Sequence, residues 1–463
     1  MTATKNIAAV PGSRFSQTGG AVAANLAPAS KNLLEKALSL VSDVQPGEGL
    51  GALLLTVNLI VLLGAYYLLK PVRESLILAE GSAEIRAYSS AAQAAILLGV
   101  VPLYGWISTY LNRVQLMRWT TLFFASNLVV FYALGRAGTR EGVYFYIWVG
   151  IFNVFSIAQL WSFATDLYTD VQGKRLFPLL GVGASAGAVG GAWIAGKLIV
   201  PVGPYRMMLI GALALCLCVL LTRLAGYVIV MRAGASEKRK ETETLSPVGG
   251  FQLLLSDRYL MLIAVLMVLL NIVSLSGDFI LSKLLVANAD HVVGSAAMLM
   301  KARKAYIGEF YAGYYEWTNI VSFVIQGFLV SRIFKWIGVR GSLFVLPALS
   351  FATFSSILVA PVLNVVRVLK VAENSTNYSL QNTVRNALML PTSREAKYKA
   401  KAAIDTFCMR IGDVLQAGII FLGTRLRFSV RGFSALTLVI TIAWLIVAFL
   451  LFRMHKRRLP ACC

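Results

Sequence analysis

Residues 51–79 read GALLLTVNLIVLLGAYYLLKPVRESLILA, an apolar run of membrane-spanning length with charges in its middle. A helix needs about 20 mostly apolar residues to cross a bilayer. Lys70, Pro71, Arg73 and Glu74 interrupt this run, and apolar residues resume directly after them. The stretch therefore predicts a long, proline-kinked spanning helix that carries charged side chains at membrane depth.

The rest of the chain repeats this apolar pattern. Of its 463 residues, 58% are hydrophobic and 14% are charged, whereas soluble proteins carry about 25% charged residues. Beyond Gly51, candidate spans begin near Ile85, Val114, Gly142, Phe177, Tyr205, Tyr259, Tyr306, Gly341, Asn364, Lys401 and Phe433. About twelve spans predict an all-α integral membrane protein with both termini on one side.

Basic residues between the spans indicate the orientation. The net charge is +22, and cytoplasmic loops carry an excess of Lys and Arg. With cytoplasmic termini, most basic segments fall inside: Arg113, Arg118, Arg332, Lys335, Arg340, Arg394, Lys397, Lys399 and the tail 453–458. Arg425, Arg427 and Arg431 fall outside and oppose this. No basic soluble domain is visible, which argues against nucleic-acid binding.

The pattern divides the chain into five segments. Residues 1–50 form a disordered N-terminus with an amphipathic helix at 31–43, and residues 454–463 form a basic tail. Residues 51–232 and 258–453 form two six-helix bundles, which the polar linker 233–257 joins in the cytoplasm.

The two bundles begin alike. An Asn, a Gly, an aromatic residue and a Lys recur at equal spacing, as Asn58, Gly64, Tyr66 and Lys70 and again as Asn271, Gly277, Phe279 and Lys283. A second common offset pairs Gly105 with Gly327, Gln159 with Gln381, and Gly190 with Gly412. Such parallel six-helix repeats are typical of the major facilitator architecture, which binds its substrate between the halves.

The intramembrane charges predict an anion site. Each charge at membrane depth costs about 2.5–3.5 kcal/mol on insertion scales, so it should face a partner or a wet cavity. Lys70 and Lys283 at equivalent positions would hold one anion from two sides, with Arg73 nearby. In the alternative interpretation, Lys70 pairs with Glu74 and Lys283 marks the interface.

The span from Asn364 carries the strongest polar stripe. Its members recur every three or four residues and therefore share one helix face: Arg367, Lys370, Asn374, Asn377 or Tyr378, Gln381 and Arg385. Lys370 would hold phosphate or carboxylate, Asn374 and Asn377 would bond a base or sugar, and Glu373 would be a counter-charge. Polar contacts between helices are the alternative.

Other polar residues have less distinctive settings. Gln159 belongs to a fainter stripe in the fourth span, and Asp278, Glu316 and Asp405 are candidate coupling groups. Gly183, Gly187 and Gly191 are spaced by four, which favours close helix packing. The five cysteines and two histidines form no metal pattern, and no nucleophile–base pair is visible. We therefore expect no metal, no cofactor and no enzymatic activity.

Several motifs resemble the ATP/ADP translocase family of plastids and intracellular bacteria. They are KPVRE at 70–74, DLYTDVQGKRLFP at 166–178, NYSL at 377–380 and KYKAKAAIDT at 397–406. The resemblance implies a twelve-helix, major-facilitator-like nucleotide exchanger, whose first-helix lysine falls on Lys70. The family's acidic residues fall on Gln159 and near Ser274, and another family lysine falls on Asn377.

The resemblance implies a bacterial relative, monomeric in the plasma membrane, that exchanges ATP for ADP or carries another nucleotide or organic anion. Two other functions stay open. One is a proton-coupled facilitator for an unrelated solute or lipid, with Asp278, Glu316 or Asp405 as proton carrier. The other is a non-transporting membrane scaffold or receptor.

Overall fold

The computed structural model describes residues 31–108, 113–233, 250–294, 299–393, 396 and 400–458. Within them the chain is helical and contains no strand. The helices before the linker are α1 Leu33–Leu38, α2 Gly49–Glu80, α3 Ala83–Ser108, α4 Arg113–Arg136, α5 Gly142–Leu167, α6 Asp170–Leu198 and α7 Pro204–Ala233. Those after it are α8 Gly250–Ser256, α9 Arg258–Val292, α10 Met300–Val324, α11 Val330–Ser342, α12 Val345–Val359, α13 Leu363–Thr376, α14 Asn382–Leu388, α15 Lys401–Ala403, α16 Met409–Arg425 and α17 Val430–Arg458.

Among the described residues, eight helical segments are long and apolar enough to cross a membrane. The first is α2, which stays continuous through Pro71 and its flanking charges. This continuity confirms that Lys70, Arg73 and Glu74 lie inside one long helix.

Each half of the chain packs around its first long helix. In the first half, α2–α7, helix α2 packs on α5, α6 and α7. In the second half, α9–α17, helix α9 packs on α13, α16 and α17. The halves meet where α10 lies against α2 and α6, and where α3 lies against α9 and α16. The middle of α2 therefore faces the second half.

Glycines bring α2 and α6 into backbone contact. A Cβ atom at Gly187 would overlap the backbone of Ile60, and one at Gly191 would overlap that of Gly64. At Gly183 a Cβ atom would lie 2.7 Å from Cγ2 of Thr56. The predicted packing role of these three glycines is confirmed.

In the second half, three continuous stretches of the described residues form π-helical turns. They lie at Ile325–Leu329, Asn377–Gln381 and Ile404–Cys408, and each joins two α-helical segments. A π turn inserts one extra residue and rotates the side chains that follow it. The stripe predicted from a uniform helical period therefore changes direction at residues 377–381.

The segment boundaries differ from the sequence-based prediction in places. The amphipathic helix predicted at 31–43 spans only Leu33–Leu38, and Leu33 and Val41 of its apolar stripe are exposed. The predicted linker includes α8, and the predicted tail begins inside α17, where His455 is buried against Tyr259. Residues 1–30, 234–249 and 459–463 lie outside the described part.

Candidate functional site

Lys70 lies between the halves and is surrounded by tyrosine rings. Its Nζ atom lies 4.0 Å from the ring centre of Tyr315, 5.1 Å from Tyr67, 5.7 Å from Tyr66 and 6.0 Å from Tyr378. Tyr66 and Tyr67 precede Lys70 by one turn, so the three share one face of α2. The lysine is 8% exposed, and the described residues place no carboxylate within ion-pair distance of it. We name these four rings the tyrosine cage.

Glu74, the partner expected in the alternative interpretation, is occupied elsewhere. Its carboxylate lies 2.5 Å from Arg73 Nη2 and 2.6 Å from Arg86 Nε. The Tyr315 hydroxyl donates to the same carboxylate over 3.2 Å. Two guanidinium groups thus face one carboxylate, and this cluster carries one net positive charge next to Lys70.

Lys370 is fully buried in a different setting. Its Nζ atom lies 3.3 Å from Asp278 Oδ1 and 3.3 Å from Glu373 Oε1, and it donates to the Ser274 carbonyl over 3.1 Å. A Cβ atom at Gly277 would lie 2.8 Å from this Nζ, so the glycine makes room for the lysine. The carboxylates of Asp278 and Glu373 act as counter-charges, and the cluster carries one net negative charge.

The predicted stripe continues from Lys370 into a cavity. Asn374 Nδ2 donates to the Tyr314 hydroxyl over 2.5 Å. Asn377 and Gln381 lie on the π turn and line a cavity of about 320 Å³ together with Arg385. Gln381 is 2% exposed, and neither polar atom of its side chain has a hydrogen-bond partner among the described residues. This amide can donate to and accept from a ligand.

Gln159 faces a second cavity, in the first half. This cavity has a volume of about 370 Å³ and is lined by residues of α3, α4 and α5, including Phe155 and Phe163. The Gln159 amide donates to the Tyr104 hydroxyl over 2.7 Å. An amide between aromatic walls suits a flat, hydrogen-bonding group.

Lys283 contacts a different set of groups from Lys70. It lies 2.8 Å from Glu84 on α3, and its ammonium group also lies near the rings of Phe279 and Phe433. In this conformation the two lysines share no partner among the described residues. The ion pair instead joins the two halves.

A second ion pair joins the halves, and its acidic residue is close in sequence to Glu84 of the first pair. Lys304 on α10 lies 2.7 Å from Glu80, the last residue of α2, and also donates to the Tyr205 hydroxyl over 2.8 Å. The Lys283 and Lys304 pairs lie near the turn between α2 and α3. We call this end of the bundle the closed end.

Two of the predicted coupling residues lie apart from the tyrosine cage. Glu316 lines a cavity of about 680 Å³ together with Lys197 and Arg367. Asp405 lies 2.7 Å from Lys401 and 3.7 Å from Arg385. The structure thus groups Asp278 and Glu373 with Lys370, and it groups neither Glu316 nor Asp405 with them.

Sequence reasoning missed the partners that come from other helices. The tyrosine pair one turn before Lys70 was a visible signal, because residues at i−3 and i−4 share a helix face. Arg86, Tyr315 and the Lys304–Glu80 pair depend on how the halves meet, which no local pattern specifies.

Solved structures of similar fold include membrane transporters. The nucleoside transporter NupG aligns with a TM-score of 0.60 at 13% identity, covering 87% of this chain and 99% of that one. The peptide transporter PepTSo aligns with a TM-score of 0.60 at 10% identity, covering 88% and 98%. An inward-facing bacterial homologue of the lysosomal transporter Spinster aligns with a TM-score of 0.56 at 14% identity, covering 89% and 98%. The chain therefore shares the helical fold of these transporters.

The sequence comparison narrows this class. The model of the TLC ATP/ADP transporter family matches residues 333–455, which confirms the predicted resemblance to that family over this part of the chain. No curated protein matches the sequence at a significant level. The family match and the fold make the chain a membrane transporter and not an enzyme.

Proposed function

We propose that the chain is a secondary transporter that exchanges nucleotides or similar anionic metabolites by alternating access. The environment of Lys70 carries this proposal. A buried ammonium group surrounded by rings, with no carboxylate at ion-pair distance among the described residues, attracts an anion strongly in a low-dielectric site. Arg73 and Arg86 exceed the charge of Glu74 nearby, which adds to the attraction.

The remaining polar residues complete the proposed site. Lys70 and Arg73 provide positive charge, and Lys283 joins them when its pair with Glu84 opens. Lys370 is neutralised by Asp278 and Glu373 and holds the helices beside the site. Gln159 from the first half, and Asn374, Asn377 and Gln381 from the second, provide neutral hydrogen bonds. A site shared by two halves suits alternating access, because rocking of the halves exposes it to each side in turn.

The full architecture is part of the proposal. We infer about twelve spans in two related six-helix halves, in a bacterial plasma membrane with cytoplasmic termini. The packing of α9 on α13, α16 and α17 supports this, since it matches the packing of α2 on α5, α6 and α7. The family match supports a nucleotide as substrate.

Uptake into liposomes tests the proposal. Purified protein is reconstituted into liposomes loaded with ADP, and uptake of labelled ATP is measured for wild type and for Lys70→Gln. We expect uptake to need internal ADP and to fall at least about tenfold in the variant, since one charge-assisted hydrogen bond contributes about 1.5–3 kcal/mol.

Lys36→Gln is the matched control, because Lys36 is an exposed lysine of α1. It should transport as wild type does. Equal transport by Lys70→Gln and Lys36→Gln would remove Lys70 from the site. No uptake under any loading, from folded protein, would sink the nucleotide proposal and favour a non-transporting scaffold.

The cluster around Lys370 supports a second candidate, a proton-coupled facilitator. Asp278 and Glu373 share one lysine, and Glu373 Oε2 has no hydrogen-bond partner among the described residues. Two carboxylates near one cation can exchange a proton. Uptake that follows a pH gradient into liposomes without internal nucleotide would favour this candidate over exchange.

A further inference from the structure

A basic cavity lies at the closed end, away from the tyrosine cage. Its volume is about 490 Å³. Four cationic side chains line it, together with two tyrosines and the 201–204 loop: Arg136 of α4, Arg206 of α7, and Lys301 and Lys304 of α10. The cavity thus draws on both halves of the molecule.

The positive charges of this cavity are not balanced within the described part of the chain. Lys304 pairs with Glu80, but Arg206 and Lys301 are exposed and form no ion pair with a carboxylate there. Arg136 has the Tyr132 hydroxyl as its partner, 3.3 Å away. Three cations therefore line one cavity, and none of them has an ion-pair partner among the residues that the structure describes.

The positions of these cations in their helices are unfavourable. Arg206 is in the first turn of α7 and Lys301 is in the first turn of α10. A helix N-terminus carries a partial positive charge, so a cation there is repelled by up to about 1 kcal/mol. The positive-inside bias gives no reason for them either, if the termini are cytoplasmic as proposed above. An anion bound in the cavity would remove this repulsion.

We propose that this cavity binds a phosphate-bearing anion, held by Arg136, Arg206 and Lys301. Guanidinium groups and lysines together suit the several oxygens of a phosphate group. The source is either a soluble phosphate compound or the headgroup of an anionic lipid. This site is separate from the one around Lys70, and it does not depend on which solute is transported.

The bound anion would act on the contact between the halves. Lys304 lines the cavity and also pairs with Glu80. An anion in the cavity competes with Glu80 for this ammonium group and so weakens one of the two ion pairs at the closed end.

Binding of inorganic pyrophosphate tests the soluble source. Calorimetric titration of the full-length protein in a neutral detergent compares wild type with the double variant Arg206→Gln Lys301→Gln. Removing two charge-assisted contacts should weaken binding at least about tenfold. Arg140→Gln is the matched control, because Arg140 is exposed near the same end but does not line the cavity. Thermal midpoints without ligand show that all the variants are folded.

Native mass spectrometry of protein extracted from membranes with added phosphatidylglycerol tests the lipid source. Retained lipid that is lost only in the double variant supports a headgroup site, even if pyrophosphate does not bind. Equal behaviour of the double variant and Arg140→Gln in both experiments overturns the proposal. Glu80→Gln should bind the effective probe more tightly, and unchanged affinity would overturn the competition for Lys304.

Discussion

Lys70 and Lys370 are both buried lysines of helices, but their surroundings differ. Four tyrosine rings surround Lys70, whereas two carboxylates and a backbone carbonyl surround Lys370. A lysine with carboxylate partners is neutralised by the protein and holds helices together. A lysine with rings alone keeps a charge that a ligand can neutralise. Burial of a charge therefore indicates a binding role only when the partners are known.

Removing Lys370 should have the largest effect on stability. Lys370→Met leaves Asp278 and Glu373 without their cation in the interior, and breaking a buried pair in this way costs about 3–5 kcal/mol. Lys70→Met loses only ring contacts, at about 2 kcal/mol or less. Reversible denaturation in detergent measures both free energies of unfolding.

A compensated variant sharpens this comparison. Lys370→Met combined with Asp278→Asn and Glu373→Gln removes all three charges and should recover most of the lost stability, since neutral replacements of a buried ion cluster are often tolerated. Equal destabilisation by Lys70→Met and Lys370→Met would show that the two lysines do not differ as described.

Substitutions in the tyrosine cage should have a smaller effect than those at Lys370, and the effect should appear in transport. Tyr315→Ala removes the ring nearest to the Lys70 ammonium group, whose cation–π contact contributes about 1–2 kcal/mol. We expect KM for the transported anion to rise by roughly fivefold to tenfold, because the lysine is less well positioned. Tyr315→Phe keeps the ring and loses only the hydrogen bond to Glu74, so its KM should change less. A larger effect of the Phe variant would assign the role of Tyr315 to its hydroxyl.

Glu141, at the closed end, is an acidic residue that can be compared with Lys70, because it too is buried. It is 2% exposed, and neither carboxylate oxygen has a hydrogen-bond partner among the described residues. Its neighbour Glu80 takes the available donors, Lys304 and the Gly142 amide. Burial, together with the charge of Glu80, raises the pKa of Glu141 to about 7. The positive charge of Lys304 opposes this shift.

This shift predicts a modest pH dependence of stability. The raised pKa means that the folded state binds the proton more tightly, so the contribution is fully present below the usual carboxyl pKa. It is lost as pH rises through about 7. The thermal midpoint should therefore fall by a few degrees over this range, and Glu141→Gln should flatten the curve. An unchanged slope in Glu141→Gln would assign the pH dependence to another group.

The sequence predicted the features that depend on local pattern. The apolar runs predicted the helices, and the resumed apolarity after Glu74 placed Lys70 inside α2. The spacing of Gly183, Gly187 and Gly191 predicted helix contact, because small residues one turn apart form one smooth stripe. The polar stripe correctly placed Lys370, Asn374 and Gln381 in the interior.

The sequence did not predict the pairing of charges across helices. The carboxylate of Glu74 lies one turn from Lys70, yet it binds Arg73 and Arg86, because guanidinium groups form stronger multiple bonds to a carboxylate. Lys283 looked equivalent to Lys70, but the meeting of α3 with α9 brings Glu84 to it. The π turn at 377–381 was also invisible, since uniform helical spacing was assumed throughout.

The glycine contact between α2 and α6 has a mechanical consequence. With no side chains between their backbones at these positions, the two helices have almost no freedom to slide past each other, and they behave as one rigid body. Helix α10 lies against both, and its Tyr315 ring meets Tyr67 of α2. A motion that exposes Lys70 to the other side of the membrane is therefore expected to shift α2 and α6 together relative to α10. Lys70 would move together with α2 and α6, and it would separate from its tyrosine partners on the second half, Tyr315 and Tyr378.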